Sequence, residues 1–228
     1  MPRSSIFLLL AVSCHASAAT QPAVASRFVM PWMCLQDCGD TSADIASQLT
    51  QLATPGVFTA AAFEAYDLCL NGTACKNSYR ERVSDRVAAL GLGSQAMVVS
   101  WNLDAIRAAF AAPGLFVASL HAILDEQPNI TAVNLDWEPH GSSPPVGPVP
   151  TAADAAAYAT LLNIAADALH SRGCQLTVDI ATWTKFWDYE LIAATRVDQV
   201  MDMESYNADF TFFKKQVAFA MSKIPADK

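Results

Sequence analysis

Two carboxylates, Asp136 and Glu138, stand either side of Trp137 in the stretch NITAVNLDWEPHG, residues 129–141. They follow an apolar run at 132–135 that reads as a buried β-strand. Side chains alternate along a strand, so Asn134, Asp136 and Glu138 share one face while Leu135 and Trp137 share the other. Like charges held together in partly desolvated surroundings push one pKa up, so that one acid keeps its proton near neutral pH. Glu138 or Asp136 can then act as a general acid, and glycoside hydrolysis is the matching reaction class. An isolated Asp-x-Glu is more often a pair of helix caps or ion-pair partners. Three hydrogen-bonding side chains on one face of an apolar strand are harder to explain that way. The same parity on a strand at 199–206 groups Asp202, Glu204 and Tyr206. Trp32, Trp101 and Trp183 fall near strand ends, where aromatic faces stack on sugar rings; packing between sheet and helices is an equal alternative for each. His140, just past the motif, reads as a loop residue.

The elements that must carry these residues alternate strictly. Strands are expected at 28–35, 57–66, 96–101, 133–136, 176–183 and 199–206. Helices are expected at 41–53, 78–90, 104–124 with a break at Pro113-Gly114, 151–170, 189–195 and 210–223. This β-α succession predicts an α/β fold with a parallel sheet. An open nucleotide-binding sheet carries a Gly-rich turn after its first strand, and here that place holds Cys-Leu-Gln-Asp-Cys, so a (β/α)8 barrel of the TIM type is preferred. Such a barrel closes with eight strands over ~250 residues, and only about six β/α units are legible in the 228 residues here. A truncated product or fragment is the expectation.

An apolar content of 53% is that of a core-forming chain. Residues 1–18 combine Arg3, an apolar run at 6–12 and the small pair Ala16-x-Ala18, the pattern of a secretory signal. The apolar run is well short of the ~20 residues of a membrane span. Residues 19–228 would then be the incomplete barrel domain, secreted or in a lysosome-like lumen. Export suits two local cysteine pairs, Cys34 with Cys38 and Cys69 with Cys75, as small disulfide loops, leaving Cys174 over. No His lies near either pair to suggest a metal site, and no metal or cofactor is expected. Asn71 and Asn129 begin glycosylation sequons, the first exposed inside the Cys69–Cys75 loop, the second with burial left open. A net charge of −8 without basic clusters argues against a nucleic-acid partner. After signal removal no membrane partner is expected, and a neutral substrate fits better; oligomeric state is not legible.

Asn134-Leu-Asp136-Trp-Glu138, ending a fourth barrel strand, resembles the D-G-x-D-x-D-x-E signature of glycoside hydrolase family 18, the chitinases and endo-N-acetylglucosaminidases. Tyr206-Asn207 is similar to that family's M-x-Y-D or M-x-Y-N at its sixth strand. The resemblance implies a partner that is an N-acetylglucosamine-containing oligosaccharide, with Glu138 as acid/base and Asp136 orienting the acetamido group. Tyr206 would hydrogen-bond the acetamido carbonyl, with Asn134, Asn207, Glu204, Trp32 and Trp101 around the substrate. It also implies a retaining mechanism in which the acetamido oxygen, rather than an enzyme nucleophile, attacks the anomeric carbon. This chain departs from the pattern in several places. Thr131-Ala132 replace the first Asp-Gly, and Asn134 replaces the middle Asp, as in the chitobiase-like branch. Ser100-Trp-Asn-Leu103 stands where S-x-G-G is usual, and Glu204 where Met is usual.

Two other readings compete. Trp137-Glu138-Pro139 is similar to the N-E-P turn of other retaining barrel glycosidases, whose nucleophile would sit on a further strand. A lectin or inhibitor on a chitinase-like barrel is the non-catalytic alternative; such proteins usually lose the acid, and Glu138 is present.

Overall fold

A computed structural model of the chain describes residues 28–35, 39–77, 82–139, 148–206 and 209–228. The expected signal at 1–18, Cys38, His140, Asn207 and the expected helix start at 78–81 lie outside the described residues. In chain order the elements are β1 (Trp32–Met33), α1 (Ser42–Leu52), β2 (Ala60–Leu68), β3 (Ala74–Lys76), α2 (Val83–Ala89), β4 (Gly93–Ser100), α3 (Leu103–Ala111) and α4 (Pro113–Glu126). Then come β5 (Ala132–Trp137), α5 (Ala152–His170), β6 (Gln175–Ile180), α6 (Tyr189–Ala193), β7 (Gln199–Asp202) and α7 (Phe210–Lys223).

The sheet runs β1-β2-β4-β5-β6-β7, and every neighbouring pair along it is parallel. This order follows the chain without reversal. A doubly wound sheet would reverse at a switch point, so the topology is that of consecutive β/α units, as in part of a barrel. Beyond β7, the Val200 amide donates to the Lys228 carbonyl at 2.7 Å, so the chain end lies along that strand's outer edge.

Local chemistry explains the helix limits. Thr41 and Thr151 cap α1 and α5 in capping boxes with Asp44 and Asp154, each hydroxyl accepting from the third amide while the carboxylate accepts from the capping amide. Pro113 opens α4 at a bend of 102° from α3, the break expected there. Gly173, at φ 72°, lets the chain turn out of α5 into β6. Among the described residues no single helix is long and apolar enough to cross a membrane.

The larger core lies between the sheet and its helices. Leu135 and Trp137 face it, as alternation predicts. Trp137 is fully buried, with its ring 5.4 Å from Phe116 and 5.5 Å from Tyr158, and Tyr158 stacks on Phe186 at 4.6 Å. Stacked and edge-on pairs of this kind fix ring orientations as well as burying area. The opposite face of the sheet holds a small apolar cluster of Ala62, Met97 and Val99, against which Met30 and Trp32 pack.

Several expected boundaries shift. The strand expected at 28–35 pairs only at Trp32–Met33; Pro31 has no N–H to give the ladder and contributes its carbonyl, 3.0 Å from the Ala62 amide. The strand expected at 57–66 is Ala60–Leu68, because Gly56 at φ 71° holds Val57 in a turn. The strand expected at 176–183 ends at Ile180. The strand expected at 199–206 ends at Asp202 and winds into a 3-10 turn, Met203–Tyr206. An element not expected, β3, pairs antiparallel with β2 and closes a hairpin over the Cys69–Cys75 disulfide. Its turn residue Gly72 has φ 76°, and a Cβ there would run into the Ala109 backbone of α3. Cys34 is also disulfide-bonded, and Cys174 is a buried thiol that donates to the Ile130 carbonyl.

Candidate active site

The inner residues of β5 are set between two different neighbours. On one side the register places Met97 beside Asn134 and Val99 beside Asp136, an apolar wall from β4. On the other side Asn134 pairs with Thr177 of β6, and one step further along the same face Asp136 comes beside Asp179. The carboxylates therefore stand at the C-terminal end of a central strand, where parallel α/β sheets present their reactive groups.

Hydrogen bonds tie this row together under the motif. Asn134 Nδ2 donates to Thr177 Oγ1 at 2.9 Å and to Asp179 Oδ1 at 3.1 Å, and Thr177 Oγ1 donates to Gln95 Oε1 at 2.8 Å. Gln95, Thr177, Asn134 and Asp179 are all buried; Asp136, 9% exposed, is the first of the row to reach the surface, and Glu138 is half-buried. The Glu138 amide donates to the Ser100 carbonyl at 2.7 Å, extending the β4–β5 ladder past the end of β5.

Burial governs the electrostatics. Burial, and then the Glu138 carboxylate beside it, pushes the Asp136 pKa up to about 7. Burial, and then the charge of Asp136, holds Asp179 well above the usual carboxylate range against the opposing Asn134 hydrogen bond. Three carboxyl groups thus crowd one end of two strands, and two of them, Asp136 and Asp179, hold protons at a pH where a solvated carboxyl would not. One such group can donate a proton while another stays ionised beside it.

The second expected cluster does not assemble as strand parity predicts. Register pairs Asp202 with Ile180, whose side chain is in the helix-facing core, while Met201 is the residue beside Asp179. Asp202 therefore belongs to the helix side of β7, where burial raises its pKa to about 6 and its charge helps raise that of Tyr189 on α6. The 3-10 turn then breaks the alternation. Glu204, 2% exposed, accepts from the Thr182 amide at 2.6 Å and from Thr182 Oγ1 at 2.5 Å, and Gln216 Nε2 donates to the same hydroxyl at 2.7 Å. Its carboxylate clamps the loop after β6 to the turn after β7. The backbone of Tyr206 ends that turn.

Of the aromatic candidates, Trp32 is half-buried against Met97 and Val99 on the inner face, on the same side as Asp136. Trp101 follows the end of β4 and is 57% exposed. Trp183, after β6, is exposed and set edge-on to Trp187 at 5.6 Å. Asn71 is exposed, its Oδ1 accepting from the Thr73 amide and hydroxyl, and Asn129 is exposed too, donating to Asp85 at 2.9 Å.

Sequence reasoning missed Asp179, Gln95 and Thr177, because nothing in the strand around Asp179 marks it until its register beside β5 is known. It also missed two acids of β2. Glu64 pairs with Met97, and an irregularity after it brings Asp67 opposite Val99, so both are in register with the inner row.

No protein-family model matches this chain, and no curated protein matches it. Solved structures share its fold. A chitinase from Chromobacterium violaceum superposes with a TM-score of 0.68 at 17% identity, over 87% of this chain and 65% of that one. The spore cortex-lytic enzyme SleL of Bacillus megaterium gives 0.69 at 15% identity, over 86% of this chain and 47% of the other. The group IV chitinase of Ostrinia furnacalis, in its complex with allosamidin, gives 0.59 at 18% identity, over 78% and 50%. The chain thus spans between about half and two thirds of the length of these structures, and over that span it has their α/β fold with consecutive parallel strands.

Proposed function

We propose that the protein is a glycosidase acting on β-linked N-acetylglucosamine glycans, chitin oligosaccharides or the N-glycan core, by a retaining, substrate-assisted route. The observation that carries this reading is the position of Asp136 and Glu138 at the end of a central parallel strand, with raised proton affinity at Asp136, in a chain that shares its fold with chitinases. Glu138, half-buried at the strand end, gives its proton to the leaving glycosidic oxygen as the C1–O bond breaks. The acetamido carbonyl oxygen of the same sugar forms the new bond to C1. Asp136, ionised, accepts the acetamido N–H and offsets the positive charge that builds on the ring so formed. Water then attacks C1 from the vacated side as the bond from C1 to the acetamido oxygen breaks and the acetamido group is restored, Glu138 takes the water's proton, and the configuration is retained. Tyr206 is assigned to the acetamido carbonyl, with Asn207 beside it, and Trp32 and Trp101 to the sugar faces. Glu204, fixed by Thr182, supports the loops around the site.

The leader at 1–18, the Cys69–Cys75 bridge and the exposed sequon at Asn71 favour export and glycosylation of the protein. Intact mass of the secreted product, before and after glycan removal, tests that part.

The reaction is tested with a fluorogenic chito-oligosaccharide and the same glycan with its N-acetyl groups removed. The reading requires turnover of the first and none of the second. Equal turnover of both would replace it with a glycosidase that carries its own nucleophile, and binding without product would replace it with a lectin.

A further inference from the structure

Asp179 lies outside the Asn134-x-Asp136-x-Glu138 motif, yet it is 1% exposed and, one step past the Leu135–Val178 pairing, falls beside Asp136, whose charge acts on it. One of its oxygens, Oδ1, accepts from Asn134 Nδ2 at 3.1 Å. The other, Oδ2, is buried without a hydrogen-bond partner among the described residues, and so is Oδ1 of Asp136. Two buried carboxylate oxygens on neighbouring strands, both lacking donors, would cost several kcal/mol if both groups were ionised. A single proton on Asp179 Oδ2 removes that cost, because it turns one orphan acceptor into the donor that the other requires. Adjacent strands are ~4.8 Å apart, which puts side chains at paired positions within reach of such a bond. Asn134 favours this arrangement: its amide donor is committed to Thr177 and Asp179, so it is not the donor that Asp136 needs.

We propose that Asp179 is a positioning residue for the reaction: as a neutral acid it donates its Oδ2 proton to Asp136, holding that carboxylate ionised and in place to receive the substrate's acetamido N–H. The motif's middle position, an Asn in this chain, then serves to orient Asp179, and the proton is kept one strand away from the motif. No proton leaves Asp179 during turnover; the active form, above the Asp136 midpoint, carries one negative charge on the pair. This rests on the glycosidase reading for its purpose, but the proton placement stands or falls separately. The groups that bear on Asp179 are Asp136 from β5, Glu138 just past its end, Tyr158 from α5 on the helix side, and the uncharged Met201 from β7.

The test compares Asp179→Asn and Asp179→Ala in the full chain, with carbon-13 NMR of labelled aspartate carboxyls and pH profiles of kcat. In the unaltered protein Asp179 stays protonated through pH 6. In Asp179→Ala, Asp136 loses its donor and its titration midpoint moves up. Its acid limb follows, and kcat falls about tenfold to a hundredfold with KM little changed. Asp179→Asn keeps a neutral donor and the acceptor for Asn134, so it restores both midpoint and kcat to near their original values. An ionised neighbour would act with the opposite sign, so a downward move of the Asp136 midpoint in Asp179→Ala, or none, overturns the proposal, as does an Asp179 resonance ionised at pH 6. If the protein turns over no chito-oligosaccharide, the glycosidase reading fails, while the NMR midpoints still decide where the proton resides. Thermal unfolding of Asp179→Asn checks that the conservative variant keeps the fold.

Discussion

The backbone amide of Glu138 bonds the carbonyl of Ser100 at 2.7 Å, so the residue assigned the proton transfer is held by the sheet at the point where the chain leaves it. Its backbone is thereby tied to β4. Ser100 is itself followed by the exposed Trp101 and by Asn102, whose side chain caps α3 by accepting from the amides of Asp104 and Ala105. The end of β4 and the acid are thus parts of one rigid corner.

Trp137 secures that corner from the helix side. Replacing it by alanine removes the ring that fills the space between Phe116 and Tyr158 and leaves a cavity behind the two carboxylates. The expected loss is about 3–5 kcal/mol in urea unfolding. A loss under ~1 kcal/mol would mean that the aromatic stack does not support the strand.

Asn134→Leu tests the polar row beneath the motif. Leucine keeps the approximate volume but withdraws the donor from Asp179 Oδ1 and Thr177 Oγ1, both buried. Destabilisation of about 1–3 kcal/mol is expected. A variant as stable as the parent would show that these acceptors find other donors.

The carboxyl cluster also predicts a direction for stability against pH. The Asp136 pKa rises from an unfolded value near 4 to about 7 in the fold. Between those limits the folded protein binds the proton and the unfolded chain does not, so stability is full below pH ~4 and declines as pH rises through about 7. Asp179 and Asp202, also raised by burial, add to the same slope. Asp136→Asn removes this group's share, so in urea unfolding at pH 8 it should be more stable than the parent by an amount on the order of 2 kcal/mol. The gap should close toward pH 4, and a variant less stable than the parent at pH 8 would contradict the assignment of burial as the cause.

Much of the scaffold was legible because local rules and tertiary demands agree in it. The helix at 210–223 begins and ends where its Asp209 cap and apolar pattern place it, the 104–124 helix breaks at Pro113, and the alternation through 132–138 sorted Trp137 from Asp136 correctly. What was not legible depends on register or on departures from regular geometry. Asp179 gains its place from the strand beside it. Asp67 reaches the inner row only because β2 is irregular after Glu64. Strand parity failed at 203–206 because the chain winds into a 3-10 turn, which turns the Glu204 carboxylate onto Thr182 while its amide donates to Asp202 Oδ1 at 3.2 Å. The β3 hairpin is three residues long, and a period-2 pattern has no room to show in so short a run.

The most direct measurement is the rate of hydrolysis of a fluorogenic chito-oligosaccharide by Glu138→Gln alongside the unaltered chain. Glutamine keeps the shape and the backbone bond to Ser100 but has no proton to give, so turnover should fall by at least 10²-fold to 10⁴-fold with the fold intact by circular dichroism. Undiminished turnover in that variant would contradict the account, because the acid would then have to come from elsewhere in the molecule.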